Sequence, residues 1–224
     1  MGRLFALGIL GTVACASLAS AAPAQTGSIA GTITTAAKGL APVRVTIDQK
    51  VCGAELPDQA VVVDAQGRLA NAVIVLTGVK RAAAIETTIT NDKCAFAPRV
   101  QIVRPNANVK TTSRDQVLHT TNAQLENGRT LFNVALPIAG LTVTKPIGGA
   151  GTVRLSCNTH PWMRGWLVVT DEAAAITGAD GRFSIDNIAP GTYELRIWHE
   201  SLKSAPHKIT VTAGKPTEIT VQMK

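Results

Sequence analysis

Cys157-Asn158-Thr159-His160-Pro161-Trp162-Met163 follows a run with strand character and sets a thiolate, an imidazole and a thioether three residues apart. Donors at that spacing form a metal loop, and their chemistry selects copper. Thiolate and thioether are soft donors that favour Cu(I), imidazole serves either oxidation state, and a His₂Cys set with a long axial Met is the blue-copper arrangement. The second imidazole must come from elsewhere in the chain. His119, in Asp115-Gln116-Val117-Leu118-His119, is the only upstream candidate, since His199 and His207 lie far downstream in a stretch of different character. The expected ligand set is therefore His119, Cys157, His160 and Met163, holding one type 1 copper.

Outside this loop the pattern continues. Phe96-x-Pro98-x-x-x-Ile102, then Val109 and Asp115-x-x-x-His119, precede Cys-x-x-His-Pro-aromatic-Met-Arg-Gly and a Val-rich run. This series resembles the cupredoxin family, in particular its amicyanin-type copper loop, over residues 94–170. The resemblance implies a Greek-key β-sandwich, an apolar docking patch at Pro161 and Trp162, and a redox protein partner such as a c-type cytochrome or a periplasmic dehydrogenase. It departs from the family where Thr120 stands in place of the Asn that usually follows the first His and braces the ligand loop. That departure bears on the rigidity and potential of the site rather than on the ligand set.

Other readings of the same residues fare less well. Structural zinc sites usually draw on two or more Cys with paired spacing, which one Cys and one Met do not supply. Cys157 and Met163 could be plain core fillers, but a His at ligand spacing between them argues otherwise. Multicopper oxidase chemistry needs His-Cys-His pairs, and this chain has four histidines in all. Three strong protein donors with a weak fourth leave little room for substrate. The expected activity is thus one-electron exchange by an exported carrier through an exposed imidazole edge, not enzymatic catalysis. The alternative is a periplasmic module that stores copper, hands it on or uses it structurally.

The first 24 residues carry Arg3, an apolar run and then Ala22-Pro23-Ala24, the pattern of an export signal cleaved near Ala24. A lipid-bearing Cys15 is the competing reading, disfavoured because Thr12 replaces the usual aliphatic residue. Beyond the leader no apolar run approaches the roughly 20 residues that span a bilayer. These features predict a periplasmic or secreted protein with no transmembrane segment. The formal net charge of +7 comes without a basic cluster or interleaved aromatics, so it points to steering toward an acidic protein rather than to nucleic acid.

Loss of Cys15 with the leader leaves three cysteines, an odd count for an oxidising compartment. With Cys157 assigned to metal, Cys52 and Cys94 are left to form a disulfide. The rest of the chain reads as all-β, with Val, Ile and Thr in short runs between Gly and Pro. Ile29, Ile33, Val43, Val45 and Ile47 fall in strand alternation, and residues 60–64 and 71–76 flank Ala65-Gln66-Gly67-Arg68 as a candidate hairpin. Residues 82–85 could begin a short helix, whereas Thr87-Thr88-Ile89-Thr90 favours extended structure.

After Thr170 a second signature appears, Asp180-Gly181-Arg182-Phe183-Ser184-Ile185 and then Ala189-Pro190-Gly191-Thr192-Tyr193-Glu194-Leu195. Asp-Gly suits a tight turn with positive φ, and Pro-Gly suits a type II turn. The segment resembles the carboxypeptidase regulatory-like domain, a small transthyretin-like β-sandwich, and no His-x-x-Glu peptidase motif accompanies it. The expected organisation is a leader at 1–24, an N-terminal β region at 25–93, a copper domain at 94–170 and the second sandwich at 171–224. Because Gly27-x-Ile29-x-Gly31-x-Ile33 also looks like the first strand of such a sandwich, residues 27–50 could belong to it, with the copper domain inserted. His199 and His207 read as packed or surface residues rather than a second metal site.

Overall fold

Alternation of buried and half-buried residues along Gly27–Thr35 makes it a strand with one fully buried face. In the computed structural model, which describes residues 25–81 and 84–224, this strand lies between Arg182–Ile188 and Pro216–Met223. Its pairing is antiparallel with the former and parallel with the latter. Gly31 is required by this arrangement, because a Cβ there would meet the carbonyl oxygen of Ile219 on the parallel neighbour. A facing sheet runs Glu172–Ile176, Val73–Lys80, Gly191–Trp198 and His207–Val211. The two sheets close over Ile29, Ile33, Ile74, Leu76, Ile185, Leu195 and their neighbours, forming a β-sandwich with its own core.

The second core belongs to the stretch quoted above. One sheet runs Thr130–Leu136, His119–Leu125, Gly151–Ser156, Arg164–Val169 and Val100–Val103. The other runs Thr142–Pro146, Asn108–Ser113, Glu86–Asp92 and Ala95–Ala97. Ile89, Phe96 and Val109 from one sheet meet Val134, Leu155 and Leu167 from the other. The sheet that faces the site thus includes Glu86–Asp92, upstream of residue 94. The fold is all-β apart from the single helical turn Gln49–Cys52 among the described residues.

Arg164–Val169 explains why the two sandwiches adhere. Leu167 and Val169 face their own core, while Val168 and Trp166 join Val73, Val100 and Trp198 in a seam between the two units. The Trp166 and Trp198 rings meet edge to face with centroids 5.4 Å apart. Beside them Arg99 makes two hydrogen bonds to Glu200, at 2.6 and 2.8 Å. Both side chains are about nine-tenths buried.

Several local expectations need revision. Gly67 turns the chain with positive φ and Val63 bridges Leu69, but residues 60–64 do not pair with the following strand. Val73–Lys80 is taken instead by Glu172–Ile176 and Gly191–Trp198, which offer a longer apolar face. Gly181 has the positive φ expected of the Asp-Gly turn, and a Cβ there would crowd Arg68 and Ile33 at 2.8 Å. Gly191 does not adopt the left-handed conformation of a type II turn; the positive φ nearby is at Asn187, 58°, where the pairing of Arg182–Ile188 with Gly27–Thr35 shifts register. The Tyr193 hydroxyl ties this corner by donating to the Ala189 carbonyl at 2.8 Å. Glu86–Asp92 is extended as its threonines suggest. The helix considered at 82–85 begins on residues outside the described range, as do Cys15 and the leader.

Candidate metal centre

The sheet delivers the donors to one end. Gly151–Ser156 lies between His119–Leu125 and Arg164–Val169, so the chain leaves it at Cys157 directly beside the start of the His119 strand. It returns through His160 and Met163, with the Met163 N–H donating to the His160 carbonyl at 3.0 Å. The potential ligand atoms of His119, Cys157 and His160 all lie within 4.8 Å of one another. Cys157 Sγ is 3.9 Å from His119 Nδ1 and 3.7 Å from His160 Nδ1. Both imidazoles are fully buried. Met163 is buried in the same core cluster as Cys157.

What presents both Nδ1 atoms is a carboxylate on the far nitrogen of each ring. His119 Nε2 is 2.9 Å from Asp115 Oδ2, and His160 Nε2 is 3.0 Å from Asp48 Oδ2. A carboxylate accepting from one ring nitrogen fixes the tautomer and leaves the lone pair of the other free for a metal. Asp115 is itself held tightly. Its two oxygens accept the Lys93 and Cys94 backbone N–H groups at 2.8 Å each. Those donors come from a two-residue hairpin loop in which Lys93 and Cys94 both have positive φ, 50° and 57°. Such a conformation costs a non-glycine residue about 1 kcal/mol or more, and the charged acceptor offsets it.

Asp48 reaches His160 from a separate segment. It precedes the turn Gln49–Cys52 in the N-cap position, with φ 56°, but its side chain does not cap that turn; it goes to His160 instead. The segment is tied down by the Val45 N–H to Ala54 carbonyl bond and by the Cys52–Cys94 disulfide, whose Cα atoms are 5.3 Å apart. The pairing inferred from the cysteine count is therefore present. An exposed imidazole edge is not, because His160 is fully buried, with Asp48 on its Nε2 and the Trp162 ring beside it.

Thr120 takes up the bracing position in the ligand loop. Its N–H points at Cys157 Sγ at 3.3 Å, and its hydroxyl accepts the Asn158 N–H at 2.7 Å. A shorter side chain thus ties the two ligand segments together where an amide was missing. Burial is the largest influence on the Cys157 thiol and pushes its pKa up. Hydrogen bonds from His119, from the Thr120 N–H and from His160 prevail, bringing it down to about 6. Burial likewise lowers His119, but the adjacent Cys157 sulfur and Asp115 carboxylate outweigh it and hold the imidazole above its ordinary value.

Of the two residues expected to dock a partner, Pro161 is exposed. Trp162 is half-buried, with its indole N–H donating to the Cys94 carbonyl at 3.2 Å and its ring 5.2 Å from that of His160. Ile47 and Val51 are exposed beside Asp48 and share a surface hollow with Val117, next to exposed Leu118. His199 is buried and accepts the Ser201 N–H at Nδ1, while His207 lies against the Ser204 hydroxyl. Burial holds the His199 imidazole below its usual pKa, hence neutral. Asp48 escaped the sequence reading, since a contact made across 112 residues has no local signal. Asp115 did carry one, four residues before His119 and so able to reach the same imidazole.

The carboxypeptidase regulatory-like domain family matches residues 150–224. That match includes Gly151–Ser156 and Arg164–Val169, which pair within the site-bearing sheet. A purple cupredoxin from Nitrosopumilus maritimus is similar to this chain at 23% identity and a TM-score of 0.33, covering 38% of this chain and 99% of that one. Amicyanin from Paracoccus versutus is similar at 17% identity and a TM-score of 0.33, covering 43% and 96%. A copper-containing nitrite reductase from Thermus scotoductus is similar at 18% identity and a TM-score of 0.32, covering 42% and 24%. No curated protein matches the chain at a significant level.

Proposed function

We propose that this is an exported type 1 copper protein that carries single electrons and is not itself an enzyme. The observation that carries the reading is the convergence of His119 Nδ1, His160 Nδ1 and Cys157 Sγ, each buried and each oriented by a second hydrogen bond. Copper bound there supplies one-electron exchange, and a low-pKa thiolate with two fixed imidazoles fits its preference for mixed soft and borderline donors. Met163, buried at the end of the same loop, is the fourth donor. Asp115, Asp48 and Thr120 hold the donors still, so little reorganisation accompanies a change of charge. The disulfide agrees with an oxidising, exported setting. Among the described residues no helix is long and apolar enough to cross a membrane.

Docking falls on the apolar surface that covers His160. Pro161 is exposed next to His160 in the chain, Trp162 packs against its ring, Ile47 and Val51 are exposed around Asp48, and an acidic redox protein such as a c-type cytochrome or a periplasmic dehydrogenase fits the net charge of +7. A second reading, copper storage or transfer, draws on the complete burial of His160, which lengthens any route for an electron. Anaerobic loading with copper, followed by optical and paramagnetic spectra and stopped-flow reaction with a small c-type cytochrome, separates them. Intense visible absorption with narrow copper hyperfine splitting and rapid electron transfer is the expected result. Weak absorption would remove the type 1 assignment. Strong colour without transfer, together with copper loss to a chelator, would favour storage.

A further inference from the structure

The disulfide does more than staple the segment that carries Asp48. The Cys52 and Cys94 sulfurs and a ring nitrogen of His160 all lie within 4.8 Å of one another. Cys94 Sγ is also within 4.8 Å of ligand atoms on Asp115 and His119. Both cysteines and His160 are buried. Cys94 Sγ is thus close to both of the rings that face Cys157, whose centroids are 4.6 Å apart.

We propose that reduction of the Cys52–Cys94 disulfide creates a second metal site, formed by the two cysteine sulfurs and His160 and suited to Cu(I). A dithiol reductant would cleave the sulfur–sulfur bond by thiol–disulfide exchange. Two electrons and two protons pass to the pair, and the reductant leaves as its own disulfide. The two thiols give up protons as they bind the metal. Two thiolates and one imidazole are the soft set that Cu(I) favours. At metal–sulfur and metal–nitrogen distances of about 2.3 and 2.0 Å, trigonal ligands stand roughly 3.8 Å apart. The three atoms lie within 4.8 Å of one another, close enough for small side-chain shifts to reach that spacing once the sulfur–sulfur bond is broken.

His160 belongs to both sites. Filling the thiol site withdraws an imidazole from Cys157 and His119, so the pair of sites forms a hand-over point governed by the state of the disulfide. The second site does not depend on copper being held at the first, and its test removes the first. The Cys157→Ala variant, reduced with a phosphine, desalted anaerobically and titrated with Cu(I) against bicinchoninate, is expected to bind one equivalent. The same protein with its disulfide intact is expected to bind none. Adding His160→Ala should weaken binding by about tenfold or more, as loss of a positioned ligand group does at metal sites. Adding Cys52→Ser should abolish it. Circular dichroism follows the fold in each form. Binding that survives His160→Ala unchanged would show two thiols of a loosened chain acting alone and overturn the proposal. So would failure of the reduced Cys157→Ala protein to bind Cu(I), or reduced protein that neither keeps its fold nor regains it with Cu(I).

Discussion

Asp115→Asn is the most informative single change at the centre, because it alters charge and one acceptor while keeping shape. The carboxylate accepts from Lys93 N–H, Cys94 N–H and His119 Nε2, all within 2.9 Å. An amide has one oxygen. Placed toward Cys94 and His119, it leaves the amide NH₂ facing the Lys93 N–H, so a charge-assisted bond worth about 1.5–3 kcal/mol is lost. The two bonds that remain become neutral and fall to about half their strength. The loss is thus at least about 3 kcal/mol in the apo protein. For a chain of this length that lowers the melting temperature by at least about 6 °C. Because His119 also loses its orienting anion, copper affinity should fall by about 10–100-fold. Thermal unfolding by circular dichroism and competition for Cu(I) give the two numbers. A melting temperature within about 2 °C of the parent, with unchanged affinity, would refute the idea that Asp115 joins the 92–95 turn to the His119 ring.

Four other outcomes are expected. In the apo protein the Cys157 thiolate absorption should titrate with a midpoint of about 6; since the folded value lies below the unfolded one, near 8.5, its stabilising contribution is complete above that unfolded value and is lost as pH falls through about 6, and a midpoint near 8.5 would contradict the site's electrostatics. Cys157→Ser should abolish the visible colour of the copper form while the apo fold survives, and a coloured Ser variant would place the thiolate elsewhere. Cys94→Ser should cost about 2–5 kcal/mol in denaturant unfolding, against roughly 4 kcal/mol for closure of a 42-residue separation, and the unreduced parent should show one free thiol rather than three. Breaking the seam pair by Glu200→Gln should cost about 3–5 kcal/mol, because it leaves the Arg99 guanidinium buried without its anion, and an unchanged unfolding curve would show the two sandwiches adhere through the Trp166 seam alone.

The convergence of the candidate loop on His119 was legible because its spacing is local: Cys157 and His160 lie three residues apart and meet His119 in the fold. The odd cysteine count was legible for a similar reason, since pairing is an arithmetic constraint that needs no geometry. Alternation gave the strand character of Gly27–Thr35 and of Arg182–Ile188, and Asp180-Gly181 gave the turn that leads into the latter, because period and φ are properties of a few consecutive residues. None of these states which strand lies beside which. That Gly27–Thr35 pairs with Pro216–Met223, nearly two hundred residues away, depends on a backbone approach that only Gly31 admits, and the chain's own alternation would fit other neighbours as well. Gly191 was misread because a Pro-Gly pair permits a turn type without imposing it. At the site itself the tertiary structure placed Asp48 over His160 and Thr120 against Cys157. The Asp48 contact fixes which nitrogen of His160 faces the sulfur, and it helps close the ring edge that sequence left open, because a hydrogen bond between distant segments is set by the packing of two sheets and a stapled loop.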